Sequence, residues 1–122
     1  MDFHSSKAIY QQIGDYICGK ILSDEWPEDE RLPSVRDLAI ALSVNPNTVM
    51  RTCIELENRG ILYNKRGIGL FVAKGGSVKA KLLLREEFEL HVLPALLSAM
   101  TTLKMDADDL YALVKKHLNE RK

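Results

Sequence analysis

The run PSVRDLAIALSVNPNTVMR, residues 33–51, constrains the fold more than any other part of this chain of 122 residues. Proline occurs twice in it, each time just ahead of a helical pattern. Ser34 has the chemistry of a helix N-cap, with Asp37 three residues on in the capping-box position. Val35, Leu38, Ala39 and Leu42 then give an apolar face to a helix of only about two turns. Ser43 and Val44 interrupt the pattern, and Asn45 offers a second N-cap. Pro46 starts a helix rather than breaking one. At the first helical position its missing N–H costs nothing and its fixed φ suits the helix. Val49, Cys53 and Leu56, with Ile54 as a further candidate, face inward, and Gly60 after Arg59 is placed to close the helix in a left-handed conformation.

The flanking segments extend this pattern. Ile9, Ile13, Ile17 and Ile21 recur every four residues, one stripe of an amphipathic helix over residues 8–22. The acidic stretch SDEWPEDE, residues 23–30, reads as a loop, after which Arg31 and Leu32 form at most a very short strand. Beyond Gly60, Ile61–Tyr63 and Leu70–Val72 are β-prone, and the turn-rich NKRGIG lies between them. Two short helices joined tightly, the second entered through a firm cap, make a helix-turn-helix; a hairpin with a basic, glycine-containing tip makes its wing. The expected fold is mainly α with a small β-hairpin: a winged helix-turn-helix domain over residues 1–74 and a two-helix tail over residues 75–122.

In the tail, residues 78–103 read as one long helix, which Pro94 should kink or restart. Asp106 caps a last helix, with Asp109 in the box position and Leu110, Leu113, Val114 and Leu118 on its apolar side. The tail is too apolar to hide against one small domain: Leu82 to Leu84, Phe88, Leu90, Val92, Leu93, Leu96, Leu97, Met100 and Leu103 crowd its first helix. An isologous pair would bury them and set two recognition helices roughly 34 Å apart, one turn of DNA. The interface is therefore expected at Leu83, Phe88, Leu90, Leu93, Leu97, Met100, Leu110, Leu113 and Val114.

Composition narrows the function classes. Lysine plus arginine and aspartate plus glutamate both number 17, so any basic surface is local rather than global. No apolar run reaches membrane-spanning length and the first residues lack a signal-peptide pattern, so the cytoplasm is the expected compartment, without membrane contact. Cys18 and Cys53 lie far apart within helical patterns and read as buried free thiols. His4, His91 and His117 have no ligand spacing, and no serine or cysteine has an evident base partner. The pattern calls for no metal, no cofactor and no enzyme chemistry.

A recognition helix must present short polar side chains at its N-terminus, and Asn47 and Thr48 do so. Asparagine can bond an adenine edge twice; threonine can bond a base or touch a thymine methyl. Ser34 and Arg51 suit phosphate contacts, Arg36 suits either phosphate or base, and Lys65 and Arg66 form the wing tip. Arg66 is placed to read a minor groove, with Gly67 allowing close approach.

These elements together resemble the winged helix-turn-helix of the GntR family of bacterial transcription regulators. The matching stretches are IYQQI (9–13), RLPSVRDLA (31–39), VNPNTVMR (44–51), LENRGILY (56–63) and RGIGLFV (66–72). The resemblance implies DNA contacts at Ser34, Arg36, Asn45, Asn47, Thr48, Arg66 and Gly67. One departure is Asp29, where the family usually has glycine. The short tail resembles the YtrA-type branch, in which two C-terminal helices pair two copies and the regulated genes commonly encode ABC-type transporters. The expectation is a homodimeric, sequence-specific regulator of transcription, a repressor on a two-fold symmetric operator of double-stranded DNA, of unknown effector. A winged-helix module for protein association and a small-molecule sensor are the competing classes.

Overall fold

The computed structural model describes residues 7–121, so His4 lies outside the described residues. The elements run α1 (Ile9–Leu22), α2 (Val35–Leu42), α3 (Pro46–Asn58), β1 (Leu62–Lys65), β2 (Gly69–Val72), α4 (Gly76–Glu87), α5 (Leu93–Leu103) and α6 (Ala107–Glu120), with a π-helical turn at Phe88–Val92. They divide into two compact units, Met1–Arg85 and Glu86–Lys122.

The core of the first unit takes Ile13, Ile17 and Ile21 from α1, Leu38 and Ala39 from α2, and Val49, Cys53 and Leu56 from α3. Leu32, Ile61, Leu62, Val72 and Ala80 close it. The buried stripe on α1 is the one its four-residue spacing requires. On α3, Ile54 is 49% exposed and Thr52 is buried in its stead. At about 100° per residue, a face centred on Val49, Cys53 and Leu56 turns residue 54 outward. Gly76 and Ala80 of α4 are buried, and Leu83 and Leu84 pack against the same core. The compact unit runs to Arg85, whereas the sequence places a boundary after Lys74, and Leu83 packs partly against this core.

The helix ends show why the chain turns where it does. At the end of α3, Gly60 has φ +78°. Its N–H donates to Glu57 O at 2.9 Å, and the Ile61 N–H reaches back to Leu56 O at 2.9 Å, a complete Schellman closure. Ser43 closes α2 in the same way at φ 56° and ψ 47°, with the Val44 N–H donating to Ala39 O at 3.0 Å. That left-handed serine is the turn of the helix-turn-helix. A side chain is disfavoured there, so Ser43→Gly is expected to stabilise the unit by about 0.5–1 kcal/mol, read as a higher urea midpoint at unchanged slope. Asp29, where the resemblance leads one to expect glycine, sits at φ +64°, in the left-handed region that glycine favours.

The hairpin is antiparallel, pairing Leu62 with Val72, Tyr63 with Phe71, Asn64 with Leu70 and Lys65 with Gly69. Its strands run further toward the tip than the β-prone runs alone suggest, leaving Arg66, Gly67 and Ile68 as the loop. Arg31 bridges to Phe71, and the Leu32 N–H donates to Leu70 O at 2.8 Å, so the short strand before Pro33 joins this sheet.

In the second unit, residues 88–92 widen into a π-helical turn in which the Leu93 N–H donates to Phe88 O. Pro94 explains it. A proline ring in a regular helix meets the carbonyl four residues back, here that of Leu90, and the wider turn relieves the clash before α5 begins. The helix expected over 78–103 thus restarts near Pro94, as α4 and α5 with this turn between them. Asp106 and Asp109 cap α6 reciprocally, at 2.8 and 3.1 Å. Among the described residues of this unit none is buried, and from Tyr111 to Arg121 every residue is exposed. No helix among the described residues is long and apolar enough to cross a membrane.

Candidate nucleic-acid interface

The start of α3 is set by its cap. Asn45 is extended, and its Oδ1 accepts the Asn47 N–H at 2.8 Å, while Pro46 occupies the first turn. The cap thus uses the Asn45 carbonyl and leaves its amide NH₂ to donate outward. Asn47 is exposed with donor and acceptor both uncommitted among the described residues, the requirement for a bidentate bond to adenine. Thr48 beside it is half-buried.

Two contacts from α1 hold this helix in place. The Thr52 hydroxyl has the Tyr10 carbonyl at 2.9 Å and the Thr48 carbonyl at 3.1 Å. The Arg51 guanidinium lies over the Tyr10 ring, 4.0 Å from its centroid. Stacking fixes the plane of the guanidinium while its N–H edges stay available for phosphate oxygens. Neither Tyr10 nor Thr52 is identifiable as a site residue from sequence, because the pairing joins positions 42 apart.

At the start of α2, Ser34 Oγ accepts the Asp37 N–H at 3.0 Å, so its hydroxyl proton is free to donate. Arg36 is exposed and has no ion-pair partner among the described residues. A cation in the first turn of a helix sits at the unfavourable end of the dipole, so Arg36 is a poor stabiliser of α2 and a good receptor for an anion brought from outside.

The wing tip is the turn Lys65–Ile68, in which the Ile68 N–H donates to Lys65 O at 2.9 Å. Gly67 at φ +78° meets the type II requirement, and a Cβ there would touch nothing within 4 Å, so backbone shape rather than crowding demands glycine. Arg66 projects from the tip, exposed, and Lys65 Nζ lies 4.9 Å from the Phe71 centroid. A third cation belongs here that the sequence reading did not assign. The Arg31 side chain crosses Gly69, where a Cβ would meet its Nε at 2.8 Å. The signal for it was the short strand at RLPS, which carries Arg31 to the hairpin edge.

The start of α2, the middle of α3 and the hairpin meet around a cleft of about 230 Å³, lined in part by Arg31, Ser34, Met50, Glu57, Asn64 and Ile68. Cys53 also borders it, but burial pushes its thiol up to about 11, and that of Cys18 to about 12. Both stay protonated at neutral pH, which removes them as nucleophiles. Among the described residues no group of three or more histidine, cysteine, aspartate or glutamate side chains is placed to hold a metal ion. What the first unit presents instead is a set of hydrogen-bond donors and cations on the starts of two helices and a hairpin tip, suited to a polyanion with readable edges.

Comparison with known proteins gives the same answer. Residues 9–72 match the family described as bacterial regulatory proteins, gntR family. The HTH-type transcriptional regulator YhcF of Bacillus subtilis (strain 168) is 35% identical, over 93% of this chain and 92% of its own length. The HTH-type transcriptional repressor YtrA of the same strain is 37% identical, over 71% of this chain and 69% of its own. A solved structure of a GntR-family transcriptional regulator from Bacteroides thetaiotaomicron superposes with a TM-score of 0.74 at 35% identity, covering 94% of this chain and all of that one. These relatives are regulators of transcription rather than enzymes. The chain belongs to the GntR family of DNA-binding transcription regulators and is similar to its short YtrA-type members.

Proposed function

We propose that this regulator acts in the cytoplasm as a homodimeric repressor that reads a two-fold symmetric operator, each protomer placing the start of α3 in a major groove and its wing at the adjacent minor groove. The observation that carries this reading is the exposed Asn47 at the start of α3, uncommitted among the described residues, with the exposed Arg36 on α2 and Arg66 at the hairpin tip in the same unit. Asn47 and Thr48 read bases; Ser34, Asn45, Arg51 and Lys65 hold phosphates; Arg66 and Gly67 approach the minor groove. The tail supplies pairing through Phe88, Leu90, Leu93, Leu97, Met100, Leu110, Leu113 and Val114. The name of YtrA supports repression as the outcome, and an operon encoding an ABC-type transporter, or the regulator's own, is the proposed target.

Selection of bound duplexes from a random pool tests the proposal. It should return an inverted repeat with half-sites about one helical turn apart. Against the selected duplex, Arg36→Ala is expected to cost about 1–3 kcal/mol and to relax preference at one position if the guanidinium reads a base. An equal loss on every sequence, with a shallower salt dependence, marks a phosphate contact instead. Unchanged affinity removes Arg36 from the interface, and recovery of no duplex overturns the function.

A further inference from the structure

We infer that Met50 is a base-reading residue whose thioether meets the C5 methyl of a thymine in the major groove, beside the base read by Asn47. This rests on the DNA-reading function proposed above. The core takes Val49, Cys53 and Leu56 from α3 and leaves Met50 outside it, 47% exposed. The exposed half of this long apolar side chain gains nothing for the fold while it stays in water.

Its place argues for a purpose. Met50 follows Asn47 by three positions, so the two side chains are neighbours on the helix surface. It also borders the cleft between α3 and the hairpin, whose lining includes the Glu57 carboxylate and, as phosphate-binding groups, Ser34 and Arg31. A duplex docked by its phosphates against those groups would bring base edges over Met50. The group that an apolar side chain can recognise there is the thymine methyl, which lies in the major groove and which cytosine and uracil lack. Methionine suits the task because its unbranched, polarizable chain adapts to a flat edge.

Two other exposed apolar residues fit the role less well. Ile54 lies one turn further from the start of α3, beyond the residues that reach base edges. Ile68 sits on the hairpin, which approaches the minor groove, where no thymine methyl is presented.

The test is a uracil scan. Each thymine of the selected duplex is replaced in turn by deoxyuridine, removing one methyl and no hydrogen bond, and affinity is measured for the natural protein, Met50→Ala, Met50→Leu and Ile54→Ala. One thymine per half-site should lose about fourfold in affinity on demethylation with the natural protein, the worth of one buried methyl. That penalty should vanish in Met50→Ala, persist in Met50→Leu, and stand unchanged in Ile54→Ala. Normal operator binding with the same penalties in Met50→Ala as in the natural protein overturns the role of Met50 and leaves the DNA-reading function intact. Failure of the natural protein to bind any duplex overturns both.

Discussion

Glutamate in place of both Leu113 and Val114 should turn a dimer into a monomer in sedimentation equilibrium and weaken operator binding by about 10²–10⁴-fold, the span lost when a second linked contact is removed. The argument starts with α6 itself. A helix of 14 residues is marginal in water on its own, and its usual support is an apolar face pressed against something. The reciprocal Asp106–Asp109 cap fixes where α6 begins, but from Tyr111 to Arg121 every side chain is exposed. Leu113, Val114 and Leu118 nevertheless form a stripe at helical spacing, with a shallow apolar groove along it that His117 also borders. Such a stripe is stable only when covered, and in the proposed dimer a second copy would cover it with the same residues. Two glutamates within it would meet their symmetry mates in a low-dielectric seam, where like charges cannot be tolerated. Lys116→Glu, off the stripe, is the control and should leave the mass unchanged. A double glutamate variant that sediments as the dimer and keeps full affinity would place the pairing surface elsewhere.

Much of this molecule is legible in local sequence because its helix ends obey local rules. Ser34, Asn45 and Asp106 cap as their side chains dictate, Pro46 begins a helix, and Gly60 closes one. The wing follows from two glycines at positive φ, Gly67 and Gly69, between two β-prone runs. Part of what escaped depends on partners distant in the chain. Arg31 reaches the wing through a one-residue bridge to Phe71, and Tyr10 supports Arg51 and Thr52 from another helix. The restart of the tail helix is legible from Pro94, but its π-helical form is not, because periodicity does not register a proline's demand on the carbonyl four residues earlier. The left-handed closures at Asp24, Ser43 and Lys104 were hidden as well, since only the glycine version of that closure has a plain sequence signature.

Leu56→Ala should cost about 2–5 kcal/mol of stability, the range for emptying a buried leucine site, out of the roughly 5–15 kcal/mol that a domain of this kind holds. Leu56 is 1% exposed and fills the junction where α3 hands the chain to the hairpin. Its carbonyl accepts the Ile61 N–H, and the fully buried Ile61 side chain shares its core. In a Schellman closure these two residues normally touch, so truncation removes apolar contact and loosens the turn at Gly60 together. The expected readout is a lower urea midpoint with the slope retained. Ile54→Ala, two residues earlier on the exposed side of the same helix, should stay within about 0.5 kcal/mol of the natural protein. Operator affinity of the folded Leu56→Ala protein, measured well below its midpoint, should be nearly unchanged, because the vacated site lies on the face opposite Asn47. If the two alanine variants lost equal stability, α3 would not be seated on the face that Val49, Cys53 and Leu56 define, and the outward aim of Asn47 would go with it.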